Sequence, residues 1–282
     1  SGPAAEGVIM RGRTRIVLAA GACLVAFALA TGNSAAAITV ERLEHEAVSG
    51  PGERYCGTIS VRNLEGEPRL ARLYMRDYLF YSDGSNVFGG PGAIVRSNAD
   101  WITLSSNYIE IPPGGATAVE FTVQVPDDAY LRGSYWSLVM VEEVVAPADE
   151  RLLNVDVSAC AGVVQKVRYA VQVATHIGET GSREISFGRK ELERRAAGEG
   201  TLNVEVENTR ERGLRPSLWV ELYDENGSRV GRFETEKRRL YPGTSVSYSV
   251  DLEAGAEGVY QALVVVDNGD EHVFGAQYNL KL

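Results

Sequence analysis

Apolar and polar positions alternate with a period of two through much of the chain. Val119, Phe121, Val123 and Val125 alternate with Glu120, Thr122 and Gln124, which predicts a strand with one face buried and one wet. A turn of Pro112, Pro113, Gly114 and Gly115 precedes it. A second turn, Pro126 to Gly133, leads into Tyr135, Trp136, Leu138, Val139, Met140 and Val141. That nearly continuous apolar run predicts a central strand. The same pattern returns between Tyr241 and Asp267. Tyr248, Val250 and Leu252 stand 129 positions after Val119, Phe121 and Val123, and Tyr260, Leu263, Val264 and Val266 stand 125 positions after Tyr135, Leu138, Val139 and Val141. Upstream, the stretch Thr58 to Asn63 reads like Asn203 to Asn208, and Leu73–Tyr74 like Leu218–Trp219. Two copies of one β-domain are the simplest account of such a repeat.

Short alternating segments separated by Gly, Pro, Asn and Asp turns predict an all-β chain with two tandem immunoglobulin-like antiparallel β-sandwich domains. The expected boundaries are an N-terminal extension and leader over 1–37, a first domain over 38–176, a linker over 177–182 and a second domain over 183–282. The first strand is expected from Ile38 to His45. Glu191 to Ala197 is the one stretch with helical character, expected as a single turn in a connection. Tyr135 and Tyr260 each follow a glycine by two positions, where a tyrosine corner bonds its hydroxyl to nearby backbone.

Met10 is followed by Arg11, Arg13 and Arg15, then by an apolar run from Ile16 to Ala30 that closes on Ala35, Ala36 and Ala37. A basic start, a short apolar middle and a small-residue end make a secretory signal peptide cleaved after Ala37. The run is short for a bilayer span, which takes about 20 residues, so the mature form is not expected to span a membrane. The competing reading makes Cys23 a lipidated N-terminus, but Leu24 to Leu29 stays apolar beyond it. A periplasmic or secreted, cell-envelope location follows. The formal net charge of −10 argues against nucleic acid and anionic membranes as partners. Cys56 and Cys160 remain after cleavage. An exported chain invites a disulfide between them, whereas the expected sandwich puts them at opposite ends, beyond bridging distance.

No catalytic constellation emerges. His45, His176 and His272 lie in different segments without metal-ligand spacing, and neither a G-x-S-x-G elbow nor a P-loop is present. Asp127–Asp128 and the loop Asp267 to Asp270 are acidic clusters without the ligand periodicity of a calcium loop, and read as solvated turns. The expectation is a non-enzymatic protein with neither metal nor cofactor.

A leader before two tandem sandwiches, the first ending in an alternating segment and a long final strand, resembles the periplasmic pilus-assembly chaperones of the PapD-like superfamily. The phrase from Arg96 to Pro126 is also similar to the first domain of WxL-interacting cell-wall proteins, which implies the alternative of a cell-envelope structural or peptidoglycan-binding module. The chaperone resemblance implies protein partners, namely pilus or surface subunits and an outer-membrane usher. In that family the last strand of the first domain completes a subunit by β-strand addition. The corresponding edge is Leu153, Val155, Val157 and Val163, continued by Lys166 and Arg168. The family also holds the subunit's terminal carboxylate with a Lys and an Arg. Lys166 matches the first, Arg42 is the nearest match to the second, and Glu44 stands at the family's Arg position.

N-terminal sequencing of the exported protein should read from Ile38, because Ala35 and Ala37 occupy the −3 and −1 positions. A chain beginning at a lipidated Cys23 would overturn this.

Overall fold

One side chain closes each repeat in the same way. In the computed structural model, which describes residues 37–144, 167–195 and 198–282, Asn63 and Asn208 are fully buried. The Asn63 amide donates to the carbonyls of Glu67 (2.7 Å) and Ile111 (3.2 Å). The Asn208 amide donates to the matching carbonyls of Arg212 (2.7 Å) and Leu240 (3.1 Å). Each Asn oxygen accepts the backbone N–H two residues on, from Glu65 and Arg210. A buried asparagine thus ties separate loop and strand carbonyls together at one corner, the Leu240 carbonyl also accepting the Leu214 N–H at 2.9 Å.

The strands of the first half are β1 (Ile38–Val40), β2 (Glu44–Ser49), β3 (Arg54–Asn63), β4 (Arg69–Phe80), β5 (Asn86–Gly89), β6 (Ile102–Leu104), β7 (Tyr108–Ile111), β8 (Ala116–Gln124), β9 (Gly133–Glu143) and β10 (Arg168–Ile177). One sheet runs β1-β3-β8-β6. The other runs β2-β10-β9-β4-β5, with β7 also on β4. The period of two puts Ile59, Val61, Val119, Phe121 and Val123 of the first sheet against Leu73, Val139, Val141, Val171 and Val173 of the second. The second half holds β11 (Ile185–Arg194), β12 (Glu199–Asn208), β13 (Ser217–Tyr223), β14 (Arg229–Glu234), β15 (Ser245–Glu253), β16 (Val259–Asp267) and β17 (Val273–Lys281). Its sheets, β11-β12-β15 and β14-β13-β16-β17, enclose a core that includes Val204, Val206, Tyr248, Val250, Leu252, Val220, Val264 and Val266. Both repeats therefore bury the same positions, and the fold is two immunoglobulin-like sandwiches.

Three sequence expectations are corrected. The first strand is not continuous. After β1 pairs with Asn63 to Val61 of β3, the chain crosses at Glu41 to Leu43 and β2 joins the other sheet, parallel to β10. The helical character of Glu191 to Arg194 is overridden, because these residues pair along β12 and Leu192 packs against the second core. Antiparallel pairing and burial decide here over local propensity. The tyrosine corner forms once. The Tyr260 hydroxyl donates to the Ala256 carbonyl at 2.9 Å, whereas the Tyr135 ring lies 4.7 Å from Trp101, with the Arg96 guanidinium over it.

Asn208→Ala should lower the stability of the second sandwich by about 2–4 kcal/mol, since it removes the buried side-chain hydrogen bonds to Arg212, Leu240 and Arg210 and leaves a cavity. Asn208→Asp should be nearly as costly, because a carboxylate cannot donate. Hydrogen-exchange protection of β12 and β15 amides reports the loss. Unchanged protection in both variants would show that the corner is not structural.

Candidate functional site

β9 is central in its sheet, between β10 and β4, so its outer face is also built from apolar residues. Trp136, Leu138 and Met140 point outward and are all nearly buried. At the base of that face the Trp136 ring stacks on Tyr241 of the second sandwich, centroids 4.4 Å apart and planes 4° from parallel. Ala174, Phe80, Leu79 and Ile94 pack around the pair. The indole N–H donates to the Tyr78 carbonyl at 2.8 Å, and Arg239 donates to the Tyr241 hydroxyl at 3.0 Å. Burial pushes the Tyr241 phenol up to about 12, so it stays neutral and the stack carries no charge in ordinary buffers.

Beside the stack is a cavity of about 320 Å³ lined by residues of both sandwiches. Glu44 and Glu46 come from β2, and Arg239 reaches both of them, with Glu44 at 2.7 Å. Arg215 approaches Glu44 at 3.5 Å. Arg212 donates to the Gly178 carbonyl at 2.5 Å and faces Glu179 at 3.7 Å. The connection between the sandwiches is tied down further. Arg212 N–H donates to the Ser182 carbonyl, and Gly133 N–H to the Thr180 hydroxyl. His176 Nδ1 lies 2.7 Å from the Ser134 hydroxyl, which itself accepts the Gly213 N–H at 2.7 Å. With the Ser134 oxygen already accepting, its O–H is free to donate to a neutral imidazole. Burial, reinforced by the Arg212 charge, lowers the His176 pKa to about 4.

The edge expected on the final strand is partly covered. β9 flanks β10 along its whole length, while β2 covers only Gln172 to Ile177. Among the described residues, Arg168 to Val171 have no strand on that second side. Gln172 N–H turns toward β2, donating to the Leu43 carbonyl at 2.7 Å, so by alternation the peptide groups of Arg168 and Ala170 face the open side. Val171 and Val173 are core. Leu153, Val155, Val157, Val163, Lys166 and Cys160 lie outside the described residues.

Arg168 donates to Glu142 at 3.0 Å. Arg42 is exposed and lines a different groove, between β2 and β3, with His45, Tyr55 and Phe121. Exposed Cys56 lines that groove too, 3.5 Å from the Thr122 hydroxyl. Glu44 is not matched by a first-strand cation. Its partners, Arg215 and Arg239, come from the second sandwich. These were not anticipated, although the runs Arg210 to Arg215 and Lys237 to Arg239 stand out as basic in an acidic chain. The loop Asp267 to Asp270 caps its own turn, with Gly269 and His272 N–H groups donating to Asp267 and Asp270. Among the described residues no group of three or more His, Cys, Asp or Glu is placed to hold a metal, and no helix is long and apolar enough to cross a membrane.

No protein-family model and no curated protein matches the sequence. Among solved structures, the chain is similar to the class 5 fimbriae chaperone CfaA (TM-score 0.47, 10% identity, covering 85% of this chain and 98% of that one). It is similar also to a chain of the chaperone–tip adhesin complex of CFA/I fimbriae (0.46, 12%, 86% and 97%). A third is a chain of the CsuC–CsuE chaperone–tip adhesion subunit complex of Acinetobacter baumannii (0.43, 8%, 84% and 97%). The two sandwiches stand on the strand pairings described above.

Because His176 takes up its proton at about pH 4 in the folded chain and near 6.5 when unfolded, the unfolded state protonates first. Its contribution is complete above pH 6.5 and is lost as pH falls to about 4. The loss is on the order of 3 kcal/mol at most, at about 1.4 kcal/mol per pKa unit. His45, also lowered by burial, adds to the same fall. Thermal melts should show His176→Gln flattening this pH dependence relative to the unsubstituted chain; equal slopes would assign the fall to other groups.

Proposed function

We propose that this chain is an exported, non-enzymatic binding protein that acts as a chaperone for surface-fibre subunits, capturing them by β-strand addition in the periplasm or cell envelope. The observation that carries the reading is that, among the described residues, no strand pairs the second side of β10 at Arg168 to Val171, in a strand otherwise flanked on both sides. Backbone donors and acceptors there can pair with an extended segment of a partner. Main-chain bonds of this kind contribute about 0.5–1.5 kcal/mol each, so side-chain pockets must supply the rest of the affinity. The tandem sandwich resemblance supports the same reading, with the edge continuing back through Val163, Val157, Val155 and Leu153 in sequence. An outer-membrane usher is a further partner on this view.

The edge is tested by Ala170→Pro. Proline removes one N–H, and an edge position whose N–H faces solvent tolerates it. The variant should melt like the unsubstituted protein and lose the fibre subunit captured from an envelope extract of the native source. If it captures the subunit undiminished, recognition lies elsewhere. If the first sandwich melts markedly lower, that N–H is already committed in the free protein and the edge is not open.

A further inference from the structure

The outer face of β4 carries a row of arginine and tyrosine side chains beside a groove. Arg72, Tyr74 and Arg76 occupy alternate positions, so they share that face. Register places Glu142 of β9 between Arg72 and Arg168 in one cross-strand row. Glu142 is engaged, accepting from both the Tyr74 hydroxyl (2.9 Å) and Arg168. Arg72 and Arg76 are exposed, and among the described residues neither has a carboxylate partner. Each is nonetheless held in place. The Arg72 guanidinium lies 5.1 Å from the centre of the Tyr74 ring, and Arg76 reaches the Gly89 carbonyl at 3.4 Å. These side chains, with Tyr108, line an open groove of about 860 Å³. The stack on Tyr241 covers the same sheet lower down, at Trp136.

Two arginines on an aromatic base, without a carboxylate partner among the described residues, make a local positive patch complementary to an acidic segment, although the chain as a whole is acidic. Four residues of extended chain separate the two guanidinium-bearing positions, a span of roughly 13 Å at about 3.3 Å per residue. An extended segment has the same rise, so its residues i and i+4 match that span and its residue i+2 falls over Tyr74. We infer that the outer face of β4 docks an extended acidic protein segment, with carboxylates at i and i+4 meeting Arg72 and Arg76 and an apolar or aromatic side chain at i+2 on Tyr74. The surface is distinct from the open edge of β10, so either can fail alone.

The probe is a capped heptapeptide with glutamates at its second and sixth positions around a central phenylalanine, its other residues threonine. Binding to the full chain is followed by calorimetry at low salt. The glutamate peptide should bind roughly 10-fold tighter than its glutamine counterpart, with the advantage shrinking as salt is added, as it must for partly exposed charges. Arg72→Gln/Arg76→Gln should erase the preference with an unchanged melting curve. A milder Arg76→Lys should keep part of it, which separates charge from damage to the fold. Equal binding of the two peptides, absence of binding, or an undiminished preference in the double variant overturns the inference. So does binding of an acidic oligosaccharide such as oligogalacturonate in place of the peptide, because the occupant would then be a glycan.

Discussion

The stack of Trp136 on Tyr241 is the contact on which the surfaces of this protein depend. Parallel rings 4.4 Å apart fix the second sandwich against the outer face of β9 at its base. Aromatic pairs of this kind contribute about 0.5–1.5 kcal/mol beyond the area they bury. The surrounding polar contacts set direction. The Arg239 bonds to Glu44 and Glu46, the Arg212 bond to the Gly178 carbonyl, and the Gly213–Ser134–His176 chain each require a specific alignment of the two halves. Beyond Trp136, Phe80 and Ala174, the exposed side chains of that sheet face include those of Arg72, Arg76 and Arg168.

Charge is distributed to the same effect. The chain is acidic as a whole, yet Arg212, Arg215, Lys237 and Arg239 gather where the sandwiches meet, facing carboxylates of β2 and of the connection. Partly buried guanidinium–carboxylate pairs hold register and orientation more than they add net stability, because desolvation offsets most of their attraction. The cations of β4 differ. Among the described residues, Arg72 and Arg76 are held by an aromatic ring and a backbone carbonyl and not by a carboxylate.

Among the described residues, the partial pairing of β10 on its second side follows from a topological constraint. The first strand segment divides between two sheets, and β2 is only long enough to cover Gln172 to Ile177. A sheet edge left bare along its whole length would be an aggregation hazard. With β2 on Gln172 to Ile177, the part of β10 without a second strand among the described residues is Arg168 to Val171, and the Arg168 charge discourages unselective pairing there.

The alternation of Val119, Phe121 and Val123, and its return at Tyr248, Val250 and Leu252, determined the all-β class and both cores, because a period of two fixes which side chains share a face whatever the strands later pair with. Asn63 and Asn208 were visible as matching ends of a repeated phrase, though not as the buried corners they become. Strand pairing lay beyond reach of the pattern. Nothing local distinguishes a strand that continues from one that crosses to the opposite sheet, as happens after Val40, and Glu191 to Arg194 became strand only because β12 was there to receive it. The contact of Trp136 with Tyr241, the Arg239 bridge to β2 and the union of Arg72, Glu142 and Arg168 in one row join residues far apart in sequence. Their proximity depends on sheet order and on the docking of two separate cores, both decided by the tertiary structure.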